Sequence, residues 1–313
     1  MKTLSLQGVP RPVPNVVLGV MRIVEMDDDA VRTLVRRSRD AGVDFFDHAD
    51  VYGGSLHACE RRFAEALQLS SSEREEIVLQ TKTGIVPGEN RHHFDFSYDH
   101  ILESVDGSLE ALGTDYIDIL LLHRPDSLVE PEEVARAFDE LEAAGKVRAF
   151  GVSNHTPRQI DLLKTAVRQP LVANQVQLSI THAPIIAQGV AANMQALPQS
   201  SVLDGGGLLE YSRIHDIRLQ AWSPFQAGFF NGVFLGDPAY GALNAVVDRL
   251  AAKYDVRPEA IATAWITRHP AGIQVVLGTT NPDRVEAAAA GSDIPLTRAE
   301  WYELFTAGGY TLP

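Results

Sequence analysis

Short apolar runs alternate with longer segments of helical periodicity along almost the whole chain. Eight runs of mainly Val, Ile, Leu and Phe predict β-strands, at residues 16–23, 43–47, 76–82, 116–123, 147–154, 171–177, 217–224 and 273–280. Most of these runs are continuous rather than alternating, which is typical of parallel strands covered by helices. The pattern therefore predicts a buried parallel sheet.

The segments between the strands carry helical periodicity and helix start signals. In 98–113 and in 240–254, apolar residues recur every three or four positions, so that each segment presents one apolar face. Capping residues placed before a proline, or three residues before a glutamate, mark helix starts at Thr156-Pro157, Asn281-Pro282 and Thr297 with Glu300. Helices are thus expected between the predicted strands.

Eight strands, each followed by a helix, predict an α/β fold consisting of a single (β/α)8 TIM barrel. A doubly wound open sheet is the alternative, but no G-x-G-x-x-G follows the first strand. No change in composition marks a second domain, so residues 1–313 are expected to form one barrel domain. One connection is enlarged, around residues 181–216, and its glycine triplet Gly205, Gly206 and Gly207 is interpreted as a flexible turn, with a phosphate cradle as the alternative.

Length, charge and cysteine content narrow the possible partners. A chain of 313 residues with 45% apolar composition can bury a large core. The net charge of −14 disfavours nucleic acid and anionic membranes, which attract clustered Lys and Arg. The single cysteine, Cys59, excludes an internal disulfide framework and a zinc-thiolate site. No signal peptide or membrane span is evident, so a soluble cytoplasmic protein is expected, with its oligomeric state left open.

Titratable residues follow three consecutive predicted strands. The stretch FFDHADVYGG, residues 45–54, ends its apolar run in Asp47 and places Tyr52 on the following loop. The next two strands end in Lys82 and His123. Because the carboxyl ends of barrel strands meet at one rim, we expect these side chains to lie together. A solvated lysine or a hydrogen-bonded core histidine would explain one of them, but not the coincidence of three.

These residue types suit proton transfer to a carbonyl oxygen. A phenol with a pKa of about 10 is a poor proton donor at neutral pH without help. A neighbouring ammonium at Lys82 favours the phenolate of Tyr52, whereas burial alone disfavours it. Asp47 is expected to keep Lys82 charged, and His123 to hydrogen-bond the oxygen that receives the proton. The predicted reaction adds a hydride to the carbon and a proton to the oxygen of a carbonyl group.

Five motifs, GVDFFDHADVYGG, TKTG, LLLHRPD, GKVRAFGVSNHTP and ANQVQLS, together resemble the aldo-keto reductase superfamily. They occur in the order found in that family, and the resemblance covers about residues 15 to 290. Within the family the chain is most similar to bacterial general aldo/keto reductases with a short C-terminal tail. The resemblance implies reduction of an aldehyde or ketone, with Asp47, Tyr52, Lys82 and His123 as a catalytic tetrad and Tyr52 as the general acid.

The resemblance also implies a nicotinamide cofactor lying across the barrel mouth without a Rossmann fold. Family members would use Ser153, Asn154 and Gln175 for the carboxamide and an aromatic residue, here Trp222, to stack on the ring. The remaining positions implied for cofactor binding are Met21, Ser223, Phe225, Gly278, Thr279, Thr280 and Arg284.

The chain departs from the family pattern at the expected 2′-phosphate site. Many members carry a lysine aligned with Gly278 and Glu-Asn where this chain has Ala287-Ala288. Arg284 retains a positive charge there, so NADPH is the expected cofactor and NADH the alternative. In the loop after the seventh strand, Gln226 replaces a residue that is frequently small.

Three other interpretations of these residues were considered. The pair His48 and Asp50 could suggest a metal site, but Asp47 is expected to pair with Lys82, so no metal is expected and His48 is expected to pack, hydrogen-bonded, beneath the loop. A Schiff-base aldolase would use Lys82 as nucleophile and would need a depressed lysine pKa. A cofactor-bound regulatory or sensor protein would bind NADPH with negligible turnover.

Overall fold

The computed structural model describes residues 1–88, 92–191, 207–228 and 231–313. Within them, eight parallel strands form a closed barrel in which each strand pairs with its neighbours in chain order and the eighth pairs with the first. The strands are β1 Val16–Gly19, β2 Phe45–Asp47, β3 Val78–Thr83, β4 Ile117–Leu122, β5 Val147–Ser153, β6 Leu171–Gln177, β7 Arg218–Trp222 and β8 Gln274–Leu277. The predicted (β/α)8 barrel and all eight predicted strands are confirmed.

Helices surround the barrel and connect its strands. In the described residues they are α1 Asp28–Asp40, α2 Ala58–Leu67, α3 Ser71–Glu75, α4 Tyr98–Leu112, α5 Pro131–Ala143, α6 Pro157–Leu163, α7 Pro184–Val190, α8 Leu208–Ile214, α9 Gly241–Tyr254, α10 Pro258–Thr267, α11 Pro282–Ala290 and α12 Arg298–Ala307. A short 3-10 helix, Pro238–Tyr240, precedes α9. None of the helices in this part of the chain is long and apolar enough to cross a membrane.

The sequence signals for helix starts act as predicted. The Thr156 hydroxyl oxygen accepts a hydrogen bond from the backbone N–H of Gln159, and the Gln159 side-chain oxygen accepts one from the backbone N–H of Thr156. Thr297 and Glu300 form the same reciprocal pair at α12. Such capping boxes satisfy backbone N–H groups that the first helical turn leaves unpaired.

Apolar side chains pack inside the barrel at the end where the strands begin, and they also fill the layer between barrel and helices. At the end where the strands begin, residues of an N-terminal hairpin (Thr3–Leu4 with Val13–Pro14) close the interior over a cluster that includes Leu6, Val9, Val13, Phe45 and Val78. Outside the barrel, Phe138 and Phe150 stack at 4.0 Å between α5 and β5. Polar side chains lie at the opposite rim of the barrel, where the strands end.

The enlarged connection between β6 and β7 contains two short helices, α7 and α8, in its described parts. Gly207 has a φ of 73° and immediately precedes α8, in a left-handed conformation that glycine adopts easily. Gly205 and Gly206, the other members of the predicted flexible turn, lie outside the described residues.

Candidate active site

Four side chains from the ends of β2, β3 and β4 meet at the barrel rim. The Lys82 ammonium, fully buried, lies 2.8 and 2.7 Å from the two carboxylate oxygens of Asp47. It also donates to the backbone oxygen of His48 at 2.7 Å and to the Tyr52 phenolic oxygen at 3.2 Å. The Tyr52 and His123 rings pack edge to face, with centroids 5.7 Å apart. The structure thus brings together the residues predicted for the tetrad.

The loop that carries Tyr52 is tied down by backbone bonds at its base. The His57 N–H donates to the Asp50 carbonyl, and the Cys59 N–H donates to the Tyr52 carbonyl. Gly53 turns the chain at a φ of 97°, and a Cβ there would lie 3.0 Å from both the Ala58 Cβ and the Cys59 Sγ. The tight turn after Tyr52 therefore requires glycine at position 53.

Burial and ion pairing set the protonation states of Lys82 and Tyr52. Burial lowers the pKa of Lys82, but the charges and hydrogen bonds of Asp47 and, after it, Tyr52 together outweigh burial, and the net shift is upward. Burial raises the pKa of Tyr52, and the opposing effect of the Lys82 ammonium does not reverse that shift. The lowering expected from Lys82 alone is thus outweighed by burial. At neutral pH the phenol carries its proton and the lysine its charge.

His123 is a neutral imidazole. Burial, followed by the charges of Lys82 and Arg124, holds its pKa well below the usual value. Its Nδ1 is buried and has no hydrogen-bond partner among the described residues. A neutral ring has one N–H donor, so His123 can donate to a carbonyl oxygen without adding a charge to the site.

Beneath the ion pair lies a layer of buried glutamines. The Gln80 and Gln175 amides donate to Asp47 Oδ1 at 2.5 and 2.9 Å. Gln80 and Gln220 exchange two hydrogen bonds, each of 3.0 Å, across the barrel. Gln220 donates in turn to Gln274 at 3.1 Å. Asp47 thus accepts hydrogen bonds from glutamines of two other strands, β3 and β6, and Gln220 of β7 holds both of these glutamines in turn.

Sequence reasoning missed Gln80 and Gln220 in this layer. A signal was present, because Gln80 and Lys82 are two residues apart on β3 and alternate strand residues share a face. Gln175 was expected at the cofactor carboxamide, and its amide nitrogen contacts Asp47 in this structure.

A cavity of about 640 Å³ opens above the four side chains. This volume is in the range of small-molecule sites. Its wall includes Asp47, Tyr52 and His123, while Lys82 lies buried below it. The wall also contains every residue predicted for cofactor binding, namely Met21, Ser153, Asn154, Gln175, Trp222, Ser223, Phe225, Gly278, Thr279, Thr280 and Arg284.

One side of the cavity is built by a chain of polar contacts. Asn154 donates to the Ser153 hydroxyl at 2.8 Å, and the Trp222 indole N–H donates to the Asn154 side-chain oxygen at 3.1 Å. Asn154 and Ser223 both have left-handed backbone conformations, with φ of 61° and 53°. Such conformations are uncommon for residues with a side chain and cluster at ligand sites.

The far end of the cavity is cationic and narrow. Arg22 donates to the Gly278 carbonyl across the mouth, and a Cβ at Gly278 would lie 2.9 Å from that guanidinium. Helix α11 begins just beyond Thr280, and Arg284 lies in its first turn. Two arginines and threonine hydroxyls, beside the positive end of the α11 dipole, are suited to phosphate groups. A dinucleotide therefore fits the donor set from Asn154 to Arg284.

Two titratable clusters lie behind the Tyr52 loop. Asp50 is buried and accepts a hydrogen bond of 2.8 Å from Ser104, and burial raises its pKa to about 7. Burial raises the pKa of Glu60, but the hydrogen bond from His57, together with the other hydrogen bonds and charges around the carboxylate, outweighs burial, so the net shift is downward. These groups pack between the loop, α2 and α4 rather than facing the cavity.

The histidine beside Asp47 differs from its expected role. His48 packs edge-on against Phe63 at 4.8 Å, and neither ring nitrogen has a hydrogen-bond partner in the described part of the chain. The expected hydrogen bond is therefore wrong. Burial lowers the pKa of His48 to about 4, which keeps the ring uncharged in this apolar setting. The described residues contain no group of three or more side chains able to hold a metal ion.

Comparison with known proteins agrees with the site. A family model described as the aldo/keto reductase family matches residues 15–306. The chain is 37% identical over 311 residues to "Uncharacterized oxidoreductase YcsN" of Bacillus subtilis (strain 168), covering 96% of each chain. It is 35% identical over 301 residues to "6-dehydroglucose reductase" of Agrobacterium fabrum, covering 93% of each.

Among solved structures, the aldo-keto reductase MGS-M4 from a deep-sea metagenome library has a TM-score of 0.70 and 25% identity, over 94% of this chain and 91% of that one.

Proposed function

Because the chain belongs to the aldo/keto reductase family, we propose that it is an NADPH-dependent reductase that interconverts aldehydes or ketones and alcohols. The family and its oxidoreductase relatives support a carbonyl reductase role. The observation that carries the finer assignment is the contact of the Lys82 ammonium with both Asp47 and the Tyr52 hydroxyl below the cavity. Residues 1–313 are proposed to act as one barrel domain.

Tyr52 is proposed to protonate the substrate oxygen during reduction and to accept that proton in oxidation. The Lys82 ammonium, 3.2 Å from the phenolic oxygen, stabilises the negative charge that develops there. Asp47 holds the ammonium in place and keeps it charged. His123 donates a hydrogen bond to the same substrate oxygen and orients the carbonyl over Tyr52. The nicotinamide cofactor, when bound, supplies or receives the hydride.

The cofactor is proposed to lie along the cavity from Trp222 to Arg284. Ser153, Asn154 and Gln175 would bind the carboxamide, and the Trp222 ring would cover the nicotinamide. Arg22 and Arg284 form no ion pair in the described residues, so both are available to phosphate groups. This surplus of positive charge supports NADPH over NADH, because an arginine beside the ribose accommodates the 2′-phosphate.

Two rival functions use the same residues. A Schiff-base aldolase needs an uncharged lysine, whereas Asp47 raises the pKa of Lys82 against the effect of burial. The geometry therefore disfavours it. A cofactor sensor needs no proton donor at the cavity floor, and the buried contact of Tyr52 with Lys82 favours a reductase.

The test is consumption of NADPH, and separately of NADH, with a panel of aromatic and short aliphatic aldehydes, followed by the absorbance of the reduced cofactor. Tyr52→Phe is the matched variant, because it removes only the hydroxyl. We expect its turnover to fall by about 100- to 10,000-fold with little change in cofactor affinity. Retention of most of the rate would refute the role of Tyr52. Tight cofactor binding without turnover of any aldehyde would support the sensor.

A further inference from the structure

Arg124 places a guanidinium in the wall of the cavity, next to His123. The residue directly follows His123 after β4, and its side chain is partly buried. Its guanidinium carbon lies 5.7 Å from the centroid of the Trp222 ring. Its charge contributes to lowering the pKa of His123 and opposes the rise in that of Tyr52. Arg124 therefore lies at the end of the cavity where the reacting carbonyl is proposed to bind.

No carboxylate of the described residues forms an ion pair with Arg124. The acid nearest along the chain, Asp126, uses its two oxygens to accept the backbone N–H groups of Phe96 and Leu128, at 3.1 and 2.8 Å. Of the acids that line the cavity, Asp47 pairs with Lys82 at 2.7 Å and Glu259 pairs with Arg257 at 2.8 Å. A cation that has lost part of its hydration and has no internal counter-ion is stabilised by an anion that enters the site.

The proposed cofactor phosphates lie toward the other end of the cavity. Arg22 bonds to Gly278, and Arg284 belongs to α11, so these two arginines flank the segment 278–280. Arg124 instead sits over Trp222, which is hydrogen-bonded to Asn154 on the proposed nicotinamide side. The site thus has a cation beyond those needed for the dinucleotide.

On the basis of the proposed reductase function, we propose that Arg124 is a specificity residue that binds an oxyanion on the substrate. The preferred substrates would be aldehydes or ketones that carry a carboxylate or sulfonate group in addition to the carbonyl. A guanidinium binds such groups through two parallel N–H bonds, and the Trp222 ring lies 5.7 Å from the Arg124 guanidinium carbon. The reaction itself is unchanged, with hydride added to the carbonyl carbon, the Tyr52 proton to the oxygen, and the oxyanion a spectator.

The experiment compares charged and neutral substrates of nearly the same shape. 4-Formylbenzoate and 4-formylbenzenesulfonate are each compared with methyl 4-formylbenzoate, and short ω-oxo acids with their methyl esters, by kcat/KM. Arg124→Gln should lower the ratio of kcat/KM for acid over ester by about 10- to 100-fold for at least one acid, the loss typical of a charge-assisted hydrogen bond. Arg124→Lys should recover part of the ratio.

The matched control is Arg36→Gln, which removes the same charge from an exposed site on α1 where, among the described residues, Arg36 pairs only with Asp40. It should leave the ratio unchanged. An unchanged ratio in Arg124→Gln, with normal turnover of the ester, would overturn the specificity role while leaving the reductase intact. If Arg124→Gln increased the Kd for NADPH and left the kcat/KM ratio of acid over ester unchanged, Arg124 would be assigned to cofactor binding, and this result would also overturn the specificity role. If the wild-type protein reduced none of the acids or esters, the result would instead contradict the proposed reductase function.

Discussion

The Lys82 ammonium lies 3.2 Å from the Tyr52 hydroxyl, and its other contacts, to Asp47 and the His48 carbonyl, are all 2.7 to 2.8 Å long. Three short contacts anchor the charge, and the fourth directs it at the phenol. These contacts hold the ammonium in place for the proton transfer proposed for Tyr52. Preorganisation of this kind would leave little reorganisation to accompany that step.

Removal of the anchoring charge should shift the pH dependence of the reaction. In Asp47→Asn the buried Lys82 loses the partner that raises its pKa, so its pKa should fall and the ammonium should be lost at lower pH than in the wild type. We expect kcat/KM to fall by about 100-fold, with the basic limb of its pH profile displaced toward lower pH. Thermal unfolding distinguishes this from misfolding. An unmoved basic limb would contradict the role of Asp47.

The glutamine layer should position the Asp47 carboxylate for activity, in addition to filling the barrel. Gln80→Met removes a donor to Asp47 while keeping the length of the side chain. Gln274→Met is the control, because Gln274 is equally buried but bonds to the Pro14 carbonyl instead of Asp47. Both variants leave a buried partner unsatisfied and should lose about 1–3 kcal/mol of unfolding free energy.

Only Gln80→Met should also lower kcat, by roughly tenfold, with the Kd for NADPH preserved. Equal kcat values in the two variants would show that the layer is structural only. Denaturant titration and steady-state kinetics on the same preparations make the comparison.

Two adjacent glycines offer a matched test of the turn after Tyr52. Gly53 and Gly54 both have positive φ, of 97° and 87°. A Cβ added at Gly53 would lie 3.0 Å from side-chain atoms of Ala58 and Cys59, whereas no described atom lies within 4 Å of a Cβ added at Gly54. Both alanine variants carry the backbone cost of about 1 kcal/mol. Gly53→Ala should in addition displace Tyr52 and lower kcat at least tenfold more than Gly54→Ala. Similar kcat values would show that the loop absorbs the methyl group.

The buried Asp50 should make stability depend on pH. Its folded pKa is about 7, above its ordinary value of 3.8, so between these values the folded state keeps a proton that the unfolded state has lost. The free energy of unfolding therefore falls as pH rises through this window. Asp50→Asn cannot ionise, so its stability relative to the wild type should rise from pH 4 to pH 7, by on the order of 2 kcal/mol. Denaturant unfolding at several pH values measures it, and a pH-independent difference would contradict the assignment.

The strands and the residues at their ends could be predicted because their signals are local. Each strand is a contiguous apolar run, and Asp47 and Lys82 follow or end such runs directly. Capping pairs such as Thr297 and Glu300 are three residues apart and act within one helical turn. The positions for cofactor binding could be predicted because the family resemblance supplies their order around the rim. All of them line the cavity.

The glutamine layer and the lack of an ion pair at Arg124 in the described structure could not be predicted, because both depend on contacts between segments that are distant in the sequence. Gln80 and Gln220 are 140 residues apart and meet only across the closed barrel. Within the described part of the chain Arg124 has no ion pair, because Asp126 and Glu259 direct their oxygens to other groups, and the sequence does not show these directions. The environment of His48 could not be predicted either. Its ring packs on Phe63 and makes no hydrogen bond within the described part of the chain, although its polarity suggested one.

The hydrogen bond from Gln175 to Asp47 joins residues that are 128 positions apart, one in each half of the chain. All members of the proposed tetrad lie within the first 123 residues, yet their arrangement is completed by strands that are synthesised later. Turnover is therefore a reporter of barrel closure. In refolding, helical structure should return before activity, and the delay between the two signals would time the meeting of the two halves.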